Sequence, residues 1–159
     1  MSESPRVASL AFAIEHEGVD NVWWAIDEDG VVAVFVCAGT AMVPRGFDPI
    51  DAERVSAALA ALPIVDAPGE FAGIRDVGDP VARGCFYFDA GGQHSDAYAC
   101  WARPTTPLRL TPDDDRLPRA GLFPLVGSFA RFAVGDVIAR WTRVVGGGPG
   151  ETPIIVRAP

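Results

Sequence analysis

Two cysteines and a histidine stand close together in the sequence, within a segment that could form one hairpin. Cys85, His94 and Cys100 carry thiol and imidazole groups, which bind zinc or act as nucleophile and base. Both kinds of site need a further partner at a diagnostic spacing, and the sequence supplies none. Because both cysteines lie in apolar runs, we interpret them as small hydrophobic residues. The sequence therefore predicts no catalytic residue, no metal site and no cofactor.

A second group of side chains offers a ligand pocket. His94, Asp96 and Tyr98 bring an imidazole, a carboxylate and a phenol into one segment. Active sites and ligand sites are concave and hold a few convergent polar groups of this kind. One hypothesis is therefore a small enzyme or ligand-binding domain, with its pocket between a helix at 49–62 and a sheet.

Carboxylates form two clusters, at 27–29 and at 113–115. The first begins like a calcium loop but runs directly into Val31-Val32-Ala33, so the alternating oxygen ligands and the distal Glu are missing. We interpret it as a hairpin turn, and the second cluster as a solvated helix start. An exposed Trp beside an acidic turn is typical of a protein interface. The candidate interface residues are Trp24, Asp27, Glu28 and Asp29.

Other motifs exclude several reactions. The glycine cluster at 146–150 precedes Glu151-Thr152-Pro153 and a β-like run, whereas a phosphate cradle needs a helix there. Ser128 follows a glycine but lies in no G-x-S-x-G motif. All 13 basic residues are Arg, which excludes a Schiff-base lysine and a P-loop lysine from this chain. The abundance of Ala, Gly, Pro, Val and Asp indicates a GC-rich bacterial genome.

The charge balance points away from nucleic acid. The net charge is −8, from 21 acidic and 13 basic residues. Binding nucleic acid requires clustered Lys and Arg that neutralise phosphates, so we exclude it as a partner. A basic protein, a cation or a neutral ligand is compatible with this charge.

The cysteine count and the hydropathy pattern predict a cytoplasmic protein. Cys37, Cys85 and Cys100 have unrelated spacings and include no C-x-x-C, which indicates reduced thiols. The apolar run before Ala11-Phe12-Ala13 is too short for a signal peptide, and no segment is long enough to span a membrane.

The clearest structural signal is a β-hairpin at 23–37. Two apolar runs flank Asp27-Glu28-Asp29-Gly30, where Asp-Gly supplies the positive φ that the turn requires. Trp23 and Trp24 must point to opposite faces of a regular strand, so one of them is either exposed or covered by a helix.

One convincing helix follows. Asp48 is a good N-cap and Pro49 suits the first helical position. Pro63 ends the run. The apolar residues Ile50, Val55, Ala58, Leu59 and Leu62 fall on one face.

The remaining elements are short. We expect a strand or helical turn at 7–14, an irregular connection at 64–84, and an antiparallel pair at 85–89 and 97–103 around a turn at 91–92. Strands at 128–134 and 137–145 would form a further hairpin, with an edge strand at 154–156. The sum is a single domain, 1–159, of the α+β class: a mainly antiparallel sheet with one or two helices packed on one face.

Three segments carry a resemblance. W-W-A-I-D-E-D-G-V-V-A-V-F at 23–35, F-Y-F-D-A-G at 86–91 and A-R-P-T-T-P-L-R-L at 102–110 resemble segments of uncharacterised proteins of GC-rich bacteria. These segments are structural, so no catalytic residue is implied. The chain is also loosely similar to immunity proteins of polymorphic toxin systems, which are often small, acidic, cytosolic α+β domains without an active site. That similarity implies a protein-binding module that neutralises a basic partner.

Overall fold

The computed structural model describes residues 21–37, 44, 46–65, 78–89 and 98–138. The elements predicted at 7–14, 91–92 and 154–156 lie outside these ranges, as does the glycine cluster at 146–150. Among the helices described, none has the length and apolar character needed to cross a membrane.

Within the described residues, five strands form one sheet, with two α-helices and two short 3-10 helices beside it. The strand order is β4-β3-β2-β1-β5. The elements along the chain are β1 (Asn21–Ile26), β2 (Val32–Cys37), α1 (Pro49–Ala60), α2 (Gly78–Ala82), β3 (Phe86–Asp89), β4 (Ala99–Ala102), a 3-10 helix (Arg119–Gly121), β5 (Leu122–Pro124) and a 3-10 helix (Phe129–Arg131).

The α+β class is confirmed, but the sheet is mixed rather than mainly antiparallel. β1 pairs with β2, and β3 with β4, in antiparallel fashion. β2 with β3, and β1 with β5, are parallel pairs. The reason is the crossover through α1 and α2, which returns the chain to the starting end of β2 before β3 begins. Part of the connection predicted to be irregular at 64–84 is thus the helix α2.

The hairpin and the main helix form where they are predicted. Trp23 lies opposite Phe35 across the antiparallel pair, and Gly30 has φ +80° in the turn. Asp48 caps α1 by accepting a hydrogen bond from the Ile50 N–H, with Pro49 in the first turn. Ile50 departs from the prediction, because its side chain is 60% exposed instead of facing the sheet.

Both faces of the sheet are covered. α1 and α2 cover one face, where Trp24 is buried, and Trp23 is buried on the opposite face. That second face is covered by residues 125–138, which we call the cover. Its centre is a cross-strand row in which the Trp23 ring stacks on Phe35 at 4.1 Å and Phe35 stacks on Phe88 at 4.9 Å.

The strand predicted at 128–134 is wrong, and most of its predicted partner at 137–145 lies outside the described residues. Residues 129–131 form a 3-10 helix, and Val137 forms an antiparallel bridge to Ala99 at the edge of the sheet. Phe129 and Phe132 are both buried, and their spacing of three matches the 3-10 period. The apolar side chains that suggested a strand therefore belong to a helical turn, and they pack against the aromatic face of the sheet.

A second irregular segment crosses the end of the sheet that carries the β1–β2 turn. Residues 103–118, which we call the strap, run from β4 at one edge to the 3-10 helix that precedes β5 at the other. The Leu108 N–H donates to the Gly84 carbonyl at 2.8 Å, and the Leu110 N–H donates to the Gly30 carbonyl at 2.8 Å. The strap thus lies against the hairpin turn.

Candidate functional site

The hairpin turn is organised by one buried carboxylate. Asp27 is 6% exposed. Its Oδ1 accepts the backbone N–H of Asp29 and of Val31, both at 2.9 Å. Its Oδ2 accepts the N–H of Phe129 at 2.8 Å, which joins the turn to the cover. Burial raises the pKa of the Asp27 carboxyl, and the three N–H donors act in the opposite direction.

The exposed carboxylates of the two acidic clusters lie at the same end of the sheet. Glu28 and Asp29 are exposed in the hairpin turn. Asp113 and Asp115 are exposed in the strap, and Asp113 follows Leu110 by three residues, so their Cα atoms lie no more than about 11 Å apart. Because Leu110 is bonded to Gly30, the second cluster is held near the first. We call this surface the acidic end: Glu28, Asp29, Asp113 and Asp115.

Arginines stabilise the strap from within. Arg116 binds Asp114 through two nitrogens, Nη2 at 2.7 Å and Nε at 3.0 Å. This contact lowers the pKa of the Asp114 carboxyl. Arg116 and Arg119 also donate to backbone carbonyls of the strap, at Arg109 and Thr111 respectively. Residues 27–30 and 108–119 together contain six acidic and three basic residues, so this end of the sheet keeps a negative balance.

The structure separates the four candidate interface residues into two kinds. Trp24 is 3% exposed and packs with the helices, while Asp27 is occupied by its backbone hydrogen bonds. Glu28 and Asp29 are exposed. In this conformation only the latter two are accessible to a partner.

The alternative pocket is described only at Tyr98. This side chain is fully buried, and its hydroxyl accepts a hydrogen bond from Trp23 Nε1 at 3.1 Å. His94 and Asp96 lie outside the described residues. The space between α1 and the sheet is filled by apolar side chains, among them Trp24, Val34, Val55, Leu59 and Leu117.

Cys85 and Cys100 are buried thiols. Burial raises the pKa of Cys85 to about 12 and that of Cys100 to about 11. The Cys100 thiol donates to the Ala102 carbonyl at 3.6 Å. Within the ranges that the structure covers, no three His, Cys, Asp or Glu side chains are grouped so that they could hold a metal ion.

Sequence reasoning missed how the two acidic clusters come together. Pro104 and Pro107 indicate a bend, but no local signal shows that the strap will lie on Gly30. The structural role of Asp27 was easier to predict from the sequence. In turns, an Asp side chain commonly accepts a hydrogen bond from the backbone N–H two residues further along the chain. Comparison with known protein families, with curated proteins and with solved structures gives no match.

Proposed function

We propose that this chain is a non-enzymatic protein-binding module whose acidic end docks a basic protein, in the manner of immunity-type proteins. The observation that carries the proposal is the strap: its bond from Leu110 to Gly30 holds two acidic clusters at one end of the sheet. Four exposed carboxylates there create a negative surface. Such a surface speeds the encounter with a positively charged partner and selects against acidic ones.

The roles of the other reactive groups support binding over catalysis. Asp27 is used in backbone hydrogen bonds, and the Tyr98 hydroxyl is used by Trp23. The Cys85 and Cys100 thiols are buried with raised pKa values, which disfavours the thiolate needed for nucleophilic attack. In this proposal the protein acts in the cytoplasm, where thiols stay reduced, and its partner is neither nucleic acid nor a membrane.

Charge reversal with a matched control tests the proposal. Wild-type protein, Glu28→Arg and Glu53→Arg would be immobilised and exposed to lysate of the source cell at low and high salt. Glu53 is exposed on α1 rather than in the hairpin turn or the strap, and both variants replace one Glu with Arg, so they change the net charge equally. We expect wild type and Glu53→Arg to retain one stoichiometric, salt-sensitive basic protein that Glu28→Arg loses.

Calorimetry with the purified partner then separates the outcomes. We expect Glu28→Arg, and separately Asp113→Arg, to weaken the complex and to flatten its salt dependence. Equal binding by wild type and both variants would reject the acidic end as the docking surface. A complex weakened equally by Glu53→Arg would show that only total charge matters.

One observation favours the alternative, a ligand-binding domain, although apolar side chains fill the space between α1 and the sheet. The Nε1 of Trp24 is buried there and has no hydrogen-bond partner among the residues that the structure describes. An unpaired buried donor is costly, and a ligand with an acceptor oxygen would satisfy it. A screen of small carboxylates and amides, followed by the indole N–H signals of the four Trp residues, tests this. A shift of the Trp24 signal that is absent in Trp24→Phe would support it.

A further inference from the structure

The Asp27 carboxylate joins the hairpin turn to the cover, two segments that are far apart in the sequence. It makes more hydrogen bonds to the turn than to the cover. Oδ1 accepts two N–H groups, both from the hairpin turn, at 2.9 Å. Oδ2 accepts only one, from Phe129 of the cover, at 2.8 Å. The two oxygens therefore serve different parts of the molecule.

Adding a proton to this carboxylate weakens one acceptor. The oxygen that takes the proton loses its negative charge and becomes a donor, so it accepts the N–H that faces it only weakly. Protonation at Oδ1 would weaken two hydrogen bonds, whereas protonation at Oδ2 weakens one. The proton is therefore expected on Oδ2, where it weakens the hydrogen bond from the Phe129 N–H.

The cover has few other bonds near this point. The Glu28 N–H donates to the Gly127 carbonyl at 3.1 Å, and Leu125 donates to Ile26 at 2.8 Å. The three-residue 3-10 helix Phe129–Arg131 is held inside by the Phe129 ring, which packs on Phe88 at 5.5 Å. On the other side of this helix, Arg103 Nη1 donates to the Phe132 carbonyl at 2.7 Å, so loss of the Asp27 bond affects a short segment between two fixed points.

We propose that the hydrogen bond from Phe129 N–H to Asp27 Oδ2 is a proton-operated latch. When Asp27 takes up a proton at Oδ2, the cover loosens around Phe129–Arg131, while the hairpin turn keeps its two bonds to Oδ1. The latch does not rest on the proposed function, because it concerns a hydrogen bond between Asp27 and the cover and requires no partner.

Four charged groups lie on the segments next to Asp27. Glu28 and Asp29 lie in the turn, Arg109 lies on the strap beside Val31, and Arg131 ends the 3-10 helix of the cover. All four are exposed. Burial, and to a smaller extent the Asp29 carboxylate, raise the pKa of Asp27, so the latch is expected to respond above the pH at which an exposed Asp titrates.

An NMR titration of the full chain tests the latch. The Asp27 carboxyl carbon and the amides of Phe129, Val31 and Phe35 would be followed as the pH is lowered. We expect the Phe129 amide to shift with the same midpoint as the Asp27 carboxyl. Its protection against hydrogen exchange, corrected for the intrinsic rate at each pH, should fall roughly tenfold or more, since a bond to a charged acceptor is lost. Val31 and Phe35 should keep theirs.

Two variants make the test specific. Asp27→Asn keeps one acceptor oxygen and opposes the Phe129 N–H with an amide donor, so it should loosen Phe129 at neutral pH. Asp29→Asn should move the midpoint to lower pH by removing a like charge, and Glu53→Gln should not move it. The latch is rejected if Phe129 does not respond while Asp27 titrates, or if Phe129, Val31 and Phe35 lose protection together.

Discussion

The backbones of Gly30 and Leu110 touch directly. The Leu110 N–H donates to the Gly30 carbonyl oxygen at 2.8 Å, and a Cβ built on Gly30 would overlap the Leu110 carbonyl oxygen. Gly30 also has φ +80°, in the left-handed region that favours glycine. Glycine at position 30 thus meets two requirements: the positive φ of the hairpin turn and the close approach of the strap backbone.

Replacing Gly30, and comparing it with a second glycine of positive φ, separates the cost of backbone strain from the cost of the clash with the strap. We expect Gly30→Ala to lower the free energy of unfolding by about 2 kcal/mol or more, because it combines backbone strain with a clash against backbone. Gly135→Ala is the matched control: its φ is +93°, but no atom lies within 4 Å of the added Cβ. It should cost about 1 kcal/mol. Urea denaturation of both variants measures the difference, and equal losses would contradict the contact.

Removing one hydroxyl should destabilise the aromatic face. Tyr98→Phe leaves the buried Trp23 Nε1 without its acceptor at 3.1 Å, which we expect to cost about 1–3 kcal/mol. Thermal or urea unfolding measures the loss. In a double-mutant cycle with Trp23→Phe, the hydroxyl should matter less once the indole is absent. Strict additivity would show that this hydrogen bond contributes nothing.

The pair Asp114–Arg116 predicts a pH dependence at the strap. Its contact lowers the pKa of Asp114 below the ordinary 3.8. The charged pair therefore stabilises the fold above pH 3.8, and this contribution is lost as the pH falls through the lower folded-state pKa. The effect is small because the pair lies at the surface, where the Arg116 side chain is 48% exposed. Melting temperatures of wild type and Asp114→Asn should differ at pH 7 and converge in acid, whereas Asp113→Asn should show no such convergence.

The buried thiols should resist alkylation. At pH 8 the thiolate is scarce at Cys85 and Cys100, because burial raises their pKa values to about 12 and about 11. Iodoacetamide followed by peptide mass spectrometry should find both unmodified in native protein and modified in urea. Labelling of native Cys85 at the rate of a free thiol would contradict the packing.

Local signals predicted the local elements. The Asp-Gly turn and the Asp48-Pro49 cap act over a few residues, so the β1–β2 hairpin and α1 could be placed from the sequence. The mixed sheet could not, because its parallel pairs depend on chain direction after a crossover rather than on composition. The cover was mistaken for strands because short apolar runs do not distinguish a strand from a helical turn.

In the candidate site, too, local features could be predicted from the sequence and long-range contacts could not. Glu28 and Asp29 were predicted as exposed turn residues, and they are exposed. Trp24 was open to either exposure or burial, and the packing of α1 decided for burial. The grouping of the acidic clusters depends on one backbone contact between Gly30 and Leu110. A contact between segments so distant in the chain produces no sequence pattern in either segment from which it could be predicted.

The parallel pairing of β1 with β5 also has a consequence for synthesis. Trp24 lies opposite Leu122, so the second edge of β1 is completed by residues that leave the ribosome long after the hairpin has emerged. Until then the nascent chain presents an unpaired strand edge beside the uncovered row of Trp23, Phe35 and Phe88. The interval between making β1 and making β5 is when this protein is most open to misassembly with another chain.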